Sequence, residues 1–368
     1  MIFSKKVKHA ALAGVLLWAA FASGCSGESG SSGSGLGGGS RSAVRLQGGG
    51  ASFPYPLYQK WLSEYSKLNP QSRIDYQSVG SGAGIKQLQD GTFDFGGTDA
   101  PMSDEDLQKA RGEILHIPTA LGAVVVTYNL PGLTEPLRFS PDVLADIFLG
   151  KISRWDDPRI KADNQNAQLP AAPITVAHRS DSSGTSAVFT EYLSKVSPEW
   201  KERVGAGTAP SWPVGLGGKG NEGVTGQIKQ TPNTIGYVEL IYAKQNKLPI
   251  GLIKNRAGSF VEPTLETVTA AASETVSTAP EDLRVSITDA VGANAYPISS
   301  YTYMIAYRDQ KDAAKGKVLV DFLWWGLHDG AKFARDLQYA PLPAETVQRA
   351  EAKINSITSG GKPLREQG

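Results

Sequence analysis

Residues 174–196, ITVAHRSDSSGTSAVFTEYLSKV, contain the turn from which the fold class follows. Ile174 to Ala177 are typical of a strand, and the apolar residues beyond position 187 recur at helical spacing. These helical positions are Val188, Phe189, Tyr192, Leu193 and Val196. The polar segment between them, HRSDSSGTS (178–186), is therefore predicted to be a strand-to-helix turn. Taken alone it fits two interpretations: Asp181 caps the helix and Arg179 is a surface charge, or both belong to a ligand site.

Three segments nearer the N-terminus repeat this order of strand, polar turn and helix. Strands are predicted at 44–47, 74–78 and 93–95, and they are followed by GGGASF (48–53), VGSGAG (79–84) and GGTDAPM (96–102). Another strand is predicted at 124–128, before a helix from Pro141 to Leu149 with Ser140 as its N-cap. Such alternation predicts an α/β fold with a largely parallel sheet.

The turns share a composition that suits a small oxyanion. In open α/β sheets, ligands bind beyond the carboxyl ends of the strands, where helix N-termini present unpaired N–H groups and a positive dipole end. The candidate groups are Ser52, Ser81 and Asp99, together with Arg179, Ser183, Gly184 and Thr185. Any one such turn is commonly only a helix cap, so the prediction depends on their joint occurrence.

Composition restricts the other function classes. The 368 residues suffice for about two domains, and 37 Lys and Arg balance 36 Asp and Glu, so no surplus of charge indicates nucleic acid as a partner. With 4 His and 1 Cys, neither a metal site nor a cofactor is expected. Residues 215–220 are similar to a nucleotide-binding loop but lack its Ser/Thr, and Ser183 lacks the G-x-S-x-G context of many hydrolases.

The N-terminus predicts export. Basic residues at positions 5–9 precede an apolar run from Ala10 to Ala22, and Ala22-Ser23-Gly24-Cys25 is typical of a lipoprotein cleavage site. A short membrane anchor is the alternative, although the run is below the ~20 residues that span a bilayer. We expect a signal peptide at 1–25, lipidation of Cys25, a Gly/Ser-rich tether at 26–41, and a protein lipid-anchored in the periplasm or at the cell surface.

Several motifs occur in a characteristic order. They are GGGASFPYP (48–56), GSGAGIKQ (80–87), DFGGTDAPMSD (94–104), GKISRWDDPRI (150–160), HRSDSSGTS (178–186), WPVGLGGKGNEGV (212–224) and IGYVELIYAKQNKLP (235–249). Together they resemble the phosphate-binding proteins of bacterial phosphate ABC transporters. The likeness extends from about Leu46 to Pro343.

The resemblance implies a two-lobed periplasmic-binding-protein fold of type II, with the ligand in the cleft between the lobes. By position, the implied phosphate ligands are Ser52, Phe53 through its backbone N–H, Ser81, Asp99, Arg179, Ser183, Gly184 and Thr185. Asp181 falls where the family keeps a partner for the arginine. Ser52 replaces a more usual threonine and Ser182 a more usual glycine.

The expected lobes are discontinuous: 42–121 with the return segment and C-terminal helices at 297–368, and 122–296. The implied function is capture of inorganic phosphate and its delivery to the permease and ATPase subunits of an importer, without catalysis. The alternatives are binding of a related tetrahedral oxyanion, an extracellular phosphatase, and a signalling or adhesion lipoprotein. A carboxylate such as Asp99 in an anion site favours a ligand that carries a proton, which phosphate does and sulfate near neutral pH does not.

Overall fold

The computed structural model describes residues 43–133 and 135–365. The predicted signal peptide, Cys25 and the tether lie outside the described residues. Within the part that is described, no helix combines the length and apolar character needed to cross a membrane.

Strands make up a large sheet and two small ones. The strands are β1 Val44–Gly50, β2 Ser72–Ser78, β3 Phe95–Thr98, β4 Ile114–Asn129, β5 Arg138–Phe139, β6 Thr175–Arg179, β7 Leu216–Gly218, β8 Thr234–Glu239, β9 Leu252–Lys254, β10 Phe260–Val261, β11 Ser299–Tyr307, β12 Thr358–Ser359 and β13 Lys362–Pro363. The large sheet has the order β2-β1-β3-β11-β4-β8-β6-β7. The small sheets are β10-β9-β5 and β12-β13.

Helices connect most of these strands. They are α1 Tyr55–Leu68, α2 Ser81–Asp90, α3 Asp104–Gln108, α4 Pro141–Phe148, α5 Pro158–Asp163, α6 Gly184–Val196, α7 Pro198–Arg203, α8 Gly220–Gln230, α9 Leu240–Gln245, α10 Leu265–Ser273, α11 Ala313–Leu327, α12 Lys332–Asp336 and α13 Ala344–Asn355. The predicted strand-to-helix order is confirmed, since β1, β2, β3 and β6 are each followed by a helix. The α/β class is confirmed with it.

The large sheet is mixed, with four parallel and three antiparallel pairings, so the prediction of a largely parallel sheet is wrong for its central strands. Strand β1 is parallel to β2 and β3, and β6 is parallel to β7 and β8. The central strands β11 and β4 run antiparallel to each other and to β3 and β8. Antiparallel neighbours need no crossover helix, so the alternation of strands and helices along the chain does not reveal them.

Strand β4 runs through both halves of the large sheet. The sequence predicted a strand only at 124–128, but β4 has 16 residues. Residues 114–123 pair with β11, and residues 124–129 pair with β8. This change of partner lies close to the predicted lobe boundary between residues 121 and 122. The division into lobes itself remains a prediction.

The core follows from apolar residues at the expected spacings. All nine residues of β11 are buried, as expected for a central strand covered on both faces. On α1, the buried face consists of Leu57, Tyr58, Trp61 and Tyr65. Phe322 packs edge-on against Trp61 with ring centroids 6.3 Å apart, so the C-terminal helix α11 closes the core over α1.

Candidate functional site

The candidate site lies where the strands of the large sheet end and helices begin. Ser52 and Phe53 follow β1, Ser81 opens α2 after β2, and Asp99 follows β3 directly. Arg179 is the last residue of β6, and Ser183 is the N-cap of α6. Because these carboxyl ends adjoin, residues from distant parts of the chain meet there.

Every predicted ligand residue is buried. The exposed fraction of the whole residue is at most 3%, the value for Arg179, in Ser52, Phe53, Ser81, Asp99, Arg179, Ser183 and Thr185. Gly184 is buried as well. Arg179 is therefore not the surface charge that its local sequence also allowed.

Gly184 marks the point at which three of the turns converge. Its backbone N–H donates to Ser81 Oγ at 3.0 Å. A Cβ atom added to Gly184 would lie 2.5 Å from Ser81 Oγ and 2.6 Å from Asp99 Oδ2. The first turn of α6 is thus in direct contact with the turns after β2 and β3.

Arg179 and Asp181 form a bidentate ion pair in which the guanidinium is buried and the carboxylate is partly exposed. Arg179 Nε donates to Asp181 Oδ1 at 2.8 Å, and Nη2 donates to Oδ2 at 2.5 Å. Burial opposes the charge of the guanidinium, but the bonds to Asp181 outweigh it and raise the pKa of Arg179. Ser183, not Asp181, caps α6, because Ser183 Oγ accepts from the N–H of Ser186. Asp181 is therefore a hydrogen-bonded partner of Arg179, and its role in orienting the arginine stays a prediction.

Asp99 combines deep burial with an unused acceptor. The residue is 1% exposed, and its Oδ1 accepts from Thr302 Oγ1 at 2.9 Å. Its Oδ2 is buried and has no hydrogen-bond partner among the described residues. Burial raises the pKa of Asp99 to about 7, against the lowering effects of Thr302 and Arg179. A buried carboxylate oxygen of this kind calls for a donor.

The turn between β1 and α1 is fixed by two tyrosines. Tyr242 O–H donates to the carbonyl of Ser52 at 2.6 Å, and Tyr339 O–H donates to the carbonyl of Phe53 at 2.6 Å. Both carbonyls thereby accept hydrogen bonds from side chains that lie far away in the chain.

Two residues of the site were missed by sequence reasoning. Asn221, the second residue of α8, donates to Ser52 Oγ and Thr185 Oγ1. A sequence signal existed, because Lys219 and Gly220 form a further strand-to-helix turn between β7 and Asn221. The stretch was considered as a nucleotide-binding loop and as part of the motif at 212–224, but Asn221 was not singled out. Thr302, the partner of Asp99, lies on the antiparallel strand β11, and no local pattern indicates it.

The geometry does not form a Ser–His pair. The ring of His178 stacks on Trp212 with centroids 4.9 Å apart, and its Nδ1 contacts the carbonyl of Arg179 at 3.0 Å. Ser183 Oγ instead accepts from the N–H of Ser186 at 3.1 Å. Within residues 43–133 and 135–365, no cluster of three or more His, Cys, Asp or Glu side chains is placed to hold a metal ion.

The match to known proteins agrees with this arrangement. A sequence model of the PBP superfamily domain matches residues 30–324, which is most of the chain. Among solved structures, the chain resembles a high-affinity periplasmic phosphate-binding protein bound with phosphate, with a TM-score of 0.66 and 21% identity. That match covers 84% of this chain and 93% of the other, and at this identity it concerns the fold.

Other known proteins have a higher sequence identity to this chain than that solved structure. The phosphate-binding protein PstS of Xylella fastidiosa (strain Temecula1) is 45% identical, over 84% of this chain and 85% of its own length. The phosphate-binding protein PstS of Pasteurella multocida is 43% identical, over 88% of this chain and 94% of its own length. The chain therefore belongs to the PBP superfamily and, within it, to the PstS family of phosphate-binding proteins.

Proposed function

We propose that this protein captures inorganic phosphate outside the cytoplasm and delivers it to an ABC importer. The observation that carries the proposal is Asp99 Oδ2, a buried carboxylate oxygen without a partner among the described residues. It lies beside the N-terminus of α6, which favours an anion. An anion that carries a proton suits both the carboxylate and the helix N-terminus. Its proton is donated to Asp99, and its other oxygens accept from the surrounding donors. Phosphate fits this description near neutral pH.

The proposed ligand groups divide into donors and one acceptor. The donors are the hydroxyls of Ser52, Ser81, Ser183 and Thr185, the backbone N–H groups of Phe53 and Gly184, and the guanidinium of Arg179. Asp99 is the acceptor, and Asp181 holds the arginine in place. Their common burial and the contacts around Gly184 support this assignment.

The same arrangement favours binding over catalysis. The Ser183 hydroxyl, the nucleophile of the phosphatase alternative, is used as a helix cap and has no hydrogen bond to His178 in the described part of the chain. The relatives are named as binding proteins. We therefore propose that the protein is not an enzyme.

We further propose that the two halves of the large sheet belong to lobes that close over phosphate. The lobes are 42–121 with 297–368, and 122–296. The change of partner along β4, from β11 to β8, supports a boundary near this position. Release would take place at the permease, with the protein held at the membrane through a lipid on Cys25.

A calorimetric titration tests the proposed function. The purified protein, freed of co-purified ligand by unfolding and refolding in phosphate-free buffer, should bind one phosphate per chain. Millimolar sulfate should not compete, and a phosphomonoester should not be hydrolysed. Arg179→Ala serves as the negative control, since truncating a buried, hydrogen-bonded charge typically costs ~2–5 kcal/mol. Absence of phosphate binding by the wild type, or turnover of the ester, would contradict the proposal.

A further inference from the structure

Asn221 links two of the proposed phosphate donors from different parts of the chain. It is fully buried, and its Nδ2 donates to Ser52 Oγ at 2.8 Å and to Thr185 Oγ1 at 3.2 Å. Its backbone N–H donates to Ser52 Oγ as well, at 3.1 Å. Ser52 precedes α1, whereas Thr185 lies in α6.

The orientation of this amide is fixed by chemistry. Asn221 Oδ1 accepts from the backbone N–H of Glu239 at 2.9 Å. A backbone N–H can only donate, so the oxygen of the amide must face Glu239. The NH₂ group is therefore directed toward the two hydroxyls, and a flipped amide would oppose two donors to each other.

These hydrogen bonds leave the Ser52 and Thr185 hydroxyls able to act toward a ligand only as donors. A hydroxyl has one proton to donate and two lone pairs with which to accept. Both lone pairs of Ser52 Oγ are used by donors of Asn221. Thr185 Oγ1 accepts from Asn221 Nδ2 and from Arg179 Nη1, at 3.2 and 3.3 Å. The remaining proton of each hydroxyl is therefore available to a ligand.

We propose that Asn221 is a positioning residue that turns Ser52 and Thr185 into obligatory donors toward phosphate. This inference rests on the proposed function. Hydroxyls that can only donate accept no proton from the ligand, so the proton of phosphate has Asp99 as its acceptor. Asn221 thereby contributes to the selection of a ligand that carries a proton, without contacting the ligand itself.

A thermodynamic cycle tests the role. We expect Asn221→Ala to weaken phosphate binding about tenfold, the usual effect of losing one or two hydrogen bonds in a buried site. In a background that carries Ser52→Ala and Thr185→Val, the same substitution should change the dissociation constant less than about twofold. A merely structural asparagine would keep its full effect in that background, which would overturn the proposal.

Two further variants complete the experiment. Asn255 is a matched control, because it is also buried and its amide also bonds to backbone groups, outside the site. Asn255→Ala should lower the thermal midpoint and leave phosphate affinity unchanged within about twofold. Asn221→Asp keeps the size of the side chain and replaces the donor by an acceptor. It should weaken binding at least as much as Asn221→Ala, and unchanged affinity in either Asn221 variant would overturn the proposal.

A failure of the proposed function and a failure of the role of Asn221 give different results. If the double background binds too weakly to titrate, Ser52→Ala and Thr185→Val replace it singly, and an undiminished Asn221→Ala effect in both overturns the proposal. A wild type that does not bind phosphate contradicts the proposed function before any variant is made. A wild type that binds, together with a failed cycle, contradicts the role of Asn221 alone.

Discussion

Asp99 is the residue at which the electrostatics of the site can be measured without a ligand. Burial raises its pKa from the ordinary value of 3.8 to about 7 in the folded protein. Between these pH values, the folded protein holds a proton on Asp99 that the unfolded chain has released. Stability therefore falls as pH rises through this interval, and above about pH 7 the loss remains but no longer grows. Each pH unit corresponds to about 1.4 kcal/mol, which sets an upper limit of about 4 kcal/mol.

We predict that the wild type loses stability relative to Asp99→Asn as pH rises from about 4 to 7. The measurement is denaturant unfolding of both proteins in phosphate-free buffer across this range. Asp181→Asn should show a pH dependence of the opposite sign. Although burial opposes it, the pairing with Arg179 lowers the pKa of Asp181, so the wild type should gain stability over this variant as pH rises from acid values. If the stabilities of wild type and Asp99→Asn change with pH in parallel, the pKa of Asp99 is not raised in the folded protein.

The N-terminus of α6 is the element on which the site is built. Gly184 begins this helix with a backbone conformation that alanine can also adopt, since its φ is not in the left-handed region. What excludes a side chain is contact with Ser81 and Asp99, which lie 2.5 and 2.6 Å from the position of a Cβ. The requirement for glycine therefore comes from contact with two of the proposed ligand residues.

We predict that Gly184→Ala lowers phosphate affinity by about tenfold or more and also lowers the thermal midpoint of the ligand-free protein. The added methyl group must displace both Ser81 Oγ and Asp99, whose Oδ2 and Cβ would lie 2.6 and 2.8 Å from it, and overpacking a buried site typically costs ~1–3 kcal/mol. Titration calorimetry and thermal unfolding are the measurements. Gly226→Ala in α8 is the control, because nothing lies within 4 Å of its Cβ position. An affinity equal to that of the control would contradict the account.

At the level of elements, the sequence predicts what local patterns determine. Strands β1, β2 and β6, the turns after them and the helices α4 and α6 follow from apolar spacing and from caps close in sequence. The antiparallel strand β11 was not predicted, because its partners in the sheet are far away in the chain. Thr302 was missed for this reason. Asn221 was missed although its turn has the same strand-to-helix form as the others.

Across the whole molecule, Arg284 connects segments that we assign to different lobes. Its Nη1 donates to the carbonyl of Met102 at 2.8 Å, and its Nη2 lies 2.8 Å from Asp104 Oδ1. The segment that carries Arg284 is held to α6 by Lys195, whose Nζ donates to Thr288 Oγ1 at 2.7 Å. If the lobes separate to release phosphate, the bonds of Arg284 to Met102 and Asp104 are candidates to break.

We predict that Arg284→Ala speeds phosphate release by roughly threefold to tenfold, since partly exposed ion pairs contribute about 1 kcal/mol or less each. Association should change little, so the loss of affinity should come from the dissociation rate. Stopped-flow mixing of the protein with phosphate gives the association rate, and displacement of bound phosphate gives the dissociation rate. Arg308→Ala is the control, because Arg308 pairs with Glu113 at 2.9 Å within one proposed lobe. A release rate equal to that of the control would show that Arg284 does not hold the lobes together.

For the whole site, we propose that an anion is selected by the proton that it donates to Asp99. Sites that pair a ligand's O–H can reject an analogue without it by ~10⁴-fold or more. An asparagine at position 99 would remove this selection, because its amide can turn either its oxygen or its NH₂ toward the anion.

Competition titrations with phosphate and sulfate on the wild type, Asp99→Asn and Asp181→Asn test this selection. We predict that sulfate in millimolar excess does not displace phosphate from the wild type, and that Asp99→Asn narrows the preference for phosphate over sulfate by at least about tenfold. Asp181→Asn should weaken the binding of both anions and leave the ratio of their affinities near that of the wild type. A phosphate-to-sulfate preference in Asp99→Asn equal to that of the wild type would contradict the account.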